Sequence, residues 1–199
     1  MSAQALYQQK RMSAADAIRV VQNGDTIVVP TAVGEPPVLL AALSEARRDF
    51  RDVQISQILA VRKYGYFDPE TVGNVRHTAY FFSGASRPGG HEGWTDFIPA
   101  YFSELPSLIS RQQIPADVVF SLASPMDDHG YFSLSLGVDY TMAAIKKARA
   151  LVIEVNPNVP FANGNCHVHI SQIAALTESD DPILEVGLPK IGPVQQAIG

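Results

Sequence analysis

A chain of 199 residues, 46% hydrophobic and 18% charged, has enough apolar content to bury a full core and excludes intrinsic disorder of its body. Its 15 basic residues against 20 acidic ones leave a net charge of −5, with no basic stripe, which excludes a nucleic-acid binder whose affinity comes from neutralising phosphates. The single cysteine, Cys166, excludes an internal disulfide and a cysteine-rich zinc site, and fits a reducing compartment.

From the amino terminus, Met1 to Lys10 is polar and lacks the apolar core of a signal peptide, and no run approaches the ~18 apolar residues of a membrane helix. A cytoplasmic chain without membrane contact is the expectation. Ser13 predicts a helix cap over Ala14 to Gln22, with Asp16 placed to reach back to it, and Gly24 predicts the left-handed residue that closes the turn. Thr26 to Val29 reads as a short buried strand and Thr31 to Glu35 as a loop. Pro36 and Pro37 suit the first turn of a helix continuing from Val38 to Arg47.

Val53 to Val61 and Arg76 to Phe82 predict two more strands. Ser83 to Trp94, with Gly84, Pro88, Gly89, Gly90 and Gly93, predicts a loop. A helix is expected within Ile98 to Gln113, a strand over Asp117 to Leu122 and a short one within Tyr131 to Leu136. Asp139 to Ala148 reads as helix, Leu151 to Val155 as strand and Val168 to Ile170 as a weaker strand. Val194 to Ile198 begins an apolar helix. Strands alternating with helices predict an α/β fold, a mostly parallel sheet flanked by helices.

Such sheets take ligands at the carboxyl ends of their strands, so the loops after strands are where a site is sought. The loop Pro30 to Pro37 leads into a helix N-terminus that could receive an anion, or is a plain connector; the two readings stand equal. In the loop Ser83 to His91, Arg87 is the one cation, more simply read as solvated. Ser124 to Tyr131 carries the most polar chemistry: Asp127, Asp128 and His129 precede Gly130, and an Asp–His arrangement can do acid–base work. Ser, Pro, Asp and Gly are equally the residues of turns. His167 and His169 share a strand face without a third ligand at a convincing spacing, so no metal is expected. No Gly-x-Ser-x-Gly elbow is present, which argues against an α/β-hydrolase.

The ordered segments are more specific together. The run from Ser124-Pro-Met-Asp-Asp-His-Gly-Tyr to Gly137-Val-Asp-Tyr-Thr141, then Ala143-Ala144 and Val152-Ile-Glu-Val-Asn156, strongly resembles the acetyl-CoA hydrolase/transferase family of 4-hydroxybutyrate, butyrate, acetate and succinate CoA-transferases. Gly24-Asp-Thr-Ile27, Gly34-Glu-Pro-Pro37, Phe81-Phe-Ser-Gly84, Asp96-Phe-Ile-Pro99 and Pro160 follow the same order, so the resemblance covers roughly Met12 to Gly199.

The resemblance implies two α/β domains of similar fold with the active site between them, and a ping-pong reaction through a glutamyl-CoA thioester. It implies a nucleophilic glutamate in a second, C-terminal domain, because Glu35, Glu45, Glu70, Glu92, Glu104, Glu154, Glu178 and Glu185 do not lie in the family's nucleophile context. The chain is then expected to comprise an N-terminal extension (1–11), a CoA-transferase N-terminal domain (12–182) and a linker (183–199) toward that absent domain, and to be inactive alone.

Gly34, Glu35, Ser124, Asp127, His129, Asn156 and Asn163 are the expected substrate-binding residues, with no catalytic residue in this chain. No cofactor is implied: the coenzyme A thioester is a substrate, a small carboxylate its partner in exchange, and homo-oligomers are expected. One departure stands out. Many relatives carry a basic or aromatic stretch after the position of Asn156, where this chain has Pro157 to Asn165 with its several asparagines, so the acid accepted would differ. Acyl-CoA hydrolysis, with water in place of the acid, and a non-catalytic fragment or interaction subunit are the alternatives. A product assay with and without added carboxylate separates the first; the reading frame beyond codon 199 tests the second.

Overall fold

The computed structural model describes residues 2–185 and 187–199. Nine strands occur among the described residues: β1 (Thr26–Val28), β2 (Val53–Gln57), β3 (Val75–Ala79), β4 (Thr95–Phe97), β5 (Val118–Ala123), β6 (Tyr131–Ser133), β7 (Ala150–Val155), β8 (His167–His169) and β9 (Ala175–Glu178). Seven form one parallel sheet in the order β4-β3-β2-β1-β5-β7-β9, and β6 and β8 form a separate antiparallel pair. The helices are α1 (Ala3–Lys10), α2 (Ala14–Ala17), α3 (Pro37–Glu45), α4 (Arg87–Glu92), α5 (Leu105–Ser110), α6 (Thr141–Ile145) and α7 (Pro193–Ile198).

The period of two in the central strands sends alternate side chains into two cores. Ile27, Val118, Phe120 and Val152 join one with Leu39, Leu40 and Leu43 of α3. Val28, Val119, Leu151 and Ile153 join the other with Leu105, Ile109, Tyr140 and Ala144, which the β6–β8 pair extends through Phe132 and Val168. Both faces are covered, as a parallel sheet requires. This is the α/β architecture, parallel and helix-flanked, that the alternation of segments predicts.

Several boundaries differ from the sequence expectation for local reasons. The strand expected to run to Val61 stops at Gln57, because the next N–H groups turn to side chains: Ile58 donates to the Tyr140 hydroxyl and Val61 to Glu35. The segment Ser83 to Trp94, expected as loop, contains α4, which Gly93 closes at φ +84°. Gly89 makes that helix possible beside the sheet, since a Cβ there would lie 2.2 Å from Thr95 Oγ1. The helix from Ser13 is α-helical only to Ala17 and continues as a 3-10 turn over Ile18–Val20, although Ser13 does cap it by accepting from Asp16 N–H at 3.1 Å.

Two strands and a helix escape sequence reading. β4 is three residues long, and β9 (Ala-Leu-Thr-Glu) lacks a β-branched run. α1 fully buries no residue but lays Ala3, Leu6 and Tyr7 against the core, while Lys10 Nζ donates to the carbonyls of Ile170 (2.8 Å) and Ile173 (2.5 Å) and Tyr7 donates to Glu178 at 2.6 Å. No helix among the described residues is long and apolar enough to cross a membrane.

Candidate functional site

The strand order reverses at one place. From β1 the chain builds outward through β2, β3 and β4 on one side, and through β5, β7 and β9 on the other. A crevice opens at the carboxyl ends of β1, β2, β5 and β7, around that reversal, and this is where parallel α/β sheets bind ligands. Here that crevice is lined by Ala32, Val33, Glu35 and Pro37 after β1, Val61 and Arg62 after β2, Leu122 of β5, Asn156 after β7, and the crossing segment Asp181 to Leu184. It holds about 300 Å³ of empty space, part of it open to solvent.

Glu35 is buried, 4% exposed. Its Oε1 accepts from Gln57 Nε2 at 2.8 Å and from the Val61 N–H at 2.9 Å, while Oε2 has no partner among the described residues. Burial pushes the Glu35 carboxyl up to about 7; the Val61 and Gln57 hydrogen bonds and the Arg62 charge oppose that rise. Gln57 also donates to the Pro30 carbonyl at 3.0 Å, tying the ends of β1 and β2 together beneath Glu35.

Asn156 shares the crevice with Glu35, but its polar atoms hold the chain. Nδ2 donates to Ser179 Oγ at 3.2 Å and to the Asp181 carbonyl at 2.9 Å, and Oδ1 accepts from the Asn158 N–H at 2.8 Å. It thereby pins the segment that crosses the mouth. Gly34 lies in the 3-10 turn Ala32–Gly34, where a Cβ would come within 2.8 Å of both Gly137 Cα and Pro30 Cβ. Its lack of a side chain lets the loop after β1 rest directly on the turn at Ser135–Gly137.

The helix N-terminus offered as an anion receptor is already filled. Glu154, fully buried on β7, accepts from the Val38 N–H at 2.8 Å and the Leu39 N–H at 3.3 Å, and from Ser179 Oγ at 2.7 Å. Its burial raises the carboxyl pKa, and the Ser179, Leu39 and Val38 donors hold it back. An internal carboxylate, rather than a ligand, answers the dipole of α3.

The remaining expected residues sit elsewhere. Ser124 is buried and accepts from the Ser133 N–H at 2.9 Å, joining β5 to β6. Asp127 Oδ1 accepts from the N–H groups of Tyr131 (2.7 Å) and His129 (2.9 Å) around Gly130 at φ +89°, and those donors, Tyr131 first, lower its pKa. Asp127 and His129 thus shape the turn before β6, and the His129 and Asn163 side chains are exposed; none of the three lines the crevice. His167 and His169 have ring nitrogens engaged by the Ala162 carbonyl and Ser171 Oγ, each at 2.8 Å.

The end of the Ser124–Tyr140 segment supports the crevice from below. Asp139 Oδ2 accepts from the Thr31 N–H at 2.8 Å, and the Tyr140 hydroxyl donates to the Val29 carbonyl at 2.6 Å. Sequence reasoning missed Gln57, Arg62 and the structural role of Glu154. A polar residue ending a buried strand and a glutamate inside one (Leu151 to Val155) were the available signals.

Residues 1–186 match the family model of the acetyl-CoA hydrolase/transferase N-terminal domain. The chain is 42% identical over 97% of its length to a succinyl-CoA:cyclohexane-1-carboxylate CoA transferase of Geobacter metallireducens, covering 44% of that protein. It is 33% identical over its whole length to a 4-hydroxybutyrate coenzyme A transferase of Clostridium kluyveri, covering 46%. The crystal structure of RipA from Yersinia pestis superposes with a TM-score of 0.88 at 28% identity, over 97% of this chain and 47% of that one. The chain therefore spans just under half the length of these relatives. It belongs to the acetyl-CoA hydrolase/transferase family, of which it carries the N-terminal domain.

Proposed function

We propose that this domain forms the acid-binding wall of a two-domain CoA-transferase that moves CoA from an acyl-CoA to a small carboxylic acid. The reading rests on family membership, on the CoA-transferase names of its relatives, and above all on the crevice at the point where the strand order reverses. A buried carboxyl, Glu35, meets that crevice beside Arg62. Free acids such as cyclohexane-1-carboxylate or 4-hydroxybutanoate fit the proposal, following the names of the relatives.

In the proposed reaction a glutamate carboxylate of the C-terminal domain attacks the thioester carbonyl. The CoA thiolate leaves, giving a mixed anhydride, then attacks the glutamyl carbonyl and releases the first acid. The resulting glutamyl-CoA thioester passes CoA to the second acid by the reverse steps. No redox partner enters, and CoA is a substrate rather than a resident cofactor. Gly34, Glu35 and Asn156 form the crevice wall in this proposal. Ser124, Asp127, His129 and Asn163 belong to it as supports of that wall. A cytoplasmic location, supported by the lone buried Cys166, and assembly into homo-oligomers complete the reading.

The test is a product assay on the protein containing both domains. Transfer of CoA that depends on the added carboxylate is expected. Acyl-CoA cleavage at the same rate without any acid would replace this reading with hydrolysis.

A further inference from the structure

Three carboxylates are buried among the described residues: Asp25, Glu35 and Glu154. Asp25 pairs with Arg149 and accepts from the Gln22 N–H at 2.6 Å. Both Glu154 oxygens are engaged. Of these three, only Glu35 has a fully buried oxygen without a partner among the described residues, and that residue lines the crevice. An unpaired buried polar atom is costly, and this one belongs to a residue of the crevice wall, where a ligand could supply its partner.

The geometry also assigns the proton. Oε1 receives two donors, from Gln57 and Val61, and is the acceptor end of the carboxyl. A proton on Glu35 therefore belongs on Oε2, which becomes a donor.

The charges around it decide what that partner is. Arg62 follows β2, Tyr64 and Tyr66 continue the same loop, Tyr140 rises from beneath, Glu154 approaches from β7 and Asp181 crosses the mouth. An ionised Glu35 would repel an incoming carboxylate in a site with Glu154 and Asp181 nearby. A neutral Glu35 instead offers an O–H to it, and a hydrogen bond to a charged oxygen is roughly twice as strong as a neutral one. Arg62 supplies the balancing cation.

We propose that Glu35 receives the substrate acid as a neutral hydrogen-bond donor, with Oε2–H donating to one oxygen of the incoming carboxylate. The inference rests on the CoA-transferase reading and names how the acid is held. The raised Glu35 carboxyl, at about 7, supports it, because much of the group is neutral near physiological pH. Binding of a carboxylate then draws in a proton when it occurs above that pH.

The test follows the Glu35 side-chain carboxyl by carbon-13 NMR through a pH titration, alone and with saturating 4-hydroxybutanoate or cyclohexane-1-carboxylate. The midpoint is expected near 7 without ligand and higher with at least one of the two acids. A midpoint below 5, or one that neither acid raises, would overturn the proposal.

A second arm separates a binding role from a merely structural one. In the two-domain enzyme, the KM for the acid should rise about tenfold per pH unit above the Glu35 midpoint. Glu35→Gln keeps the acceptor for Gln57 and Val61 and places a permanent N–H donor at Oε2, so the rise disappears. Glu35→Ala raises KM at every pH. Retention of the wild-type rise in Glu35→Gln also overturns the proposal. CoA exchange that persists in an enzyme with Glu35 ionised would leave the CoA-transferase reading standing and remove this inference alone.

Discussion

Glu154 of β7 closes the N-terminus of α3 by accepting the Val38 N–H at 2.8 Å, across a sequence separation of 116 residues. The contact joins the two halves of the sheet at the crevice, because α3 begins two residues after Glu35 and β7 ends one residue before Asn156. It also explains why the loop Pro30 to Pro37 has no need of an external anion.

Removing that carboxylate leaves the first N–H groups of α3 unpaired in a buried place. Glu154→Ala should destabilise the domain by roughly 3 kcal/mol, the cost of orphaned donors plus the lost helix-terminus charge. For a chain of this size that is a fall in Tm of roughly 5–10 °C. Glu154→Gln retains an acceptor oxygen and should cost less. Differential scanning calorimetry decides it; unchanged melting in Glu154→Ala would remove Glu154 from the architecture of the site.

His77 makes an opposite kind of prediction, through acid. It is buried on β3 with neither ring nitrogen partnered among the described residues, and it packs on the rings of Tyr66 and Phe67. Burial lowers its pKa from 6.5 to about 3. The unfolded chain takes up a proton near 6.5 and the folded chain does not, so this contribution is intact above that pH and is lost as pH falls toward 3. By pH 5 the loss is about 2 kcal/mol, at 1.36 kcal/mol per unit. His77→Leu should therefore melt at a higher temperature than wild type at pH 5 and show much less advantage at pH 8. An equal difference at both pH values would show that His77 does not resist protonation.

The carboxyl end of β3 and β4 exposes a run of aromatic side chains: Phe81 (58%), Phe97 (47%), Tyr101 (78%) and Phe102 (51%). Apolar patches of this kind are seldom left bare on monomers. The isolated chain should associate as its concentration rises, and Phe81→Ser with Tyr101→Ser should weaken that association. Light scattering measures it, and a monomer at high concentration in the wild type would contradict the expectation.

The legible parts of the fold were those that obey local rules. Val118 to Ala123 and Ala150 to Val155 are continuous buried runs, and Pro36-Pro37 marks a helix start without ambiguity. α1 was not legible because its apolar face, Ala3, Leu6 and Tyr7, is short and only half-buried, and its docking also depends on Lys10 reaching carbonyls some 160 residues away. The site divided along the same line. Glu35 and Asn156 lie in loops directly after strands, where the topology places a crevice. Asp127 and His129 drew attention by residue type, yet Asp127 spends its oxygen on the N–H groups of its own turn. Gln57 and Glu154 act through contacts fixed only when β1, β2 and β7 assemble.

In the proposed reaction this domain holds the acid while a glutamate elsewhere in the protein carries CoA. Peptide mapping by mass spectrometry tests it most directly, on the two-domain protein incubated with an acyl-CoA and no acceptor acid. A CoA adduct is expected on a glutamate outside residues 1–199, released when a carboxylate is added. An adduct on Glu35, Glu154 or any other residue of this chain would contradict it.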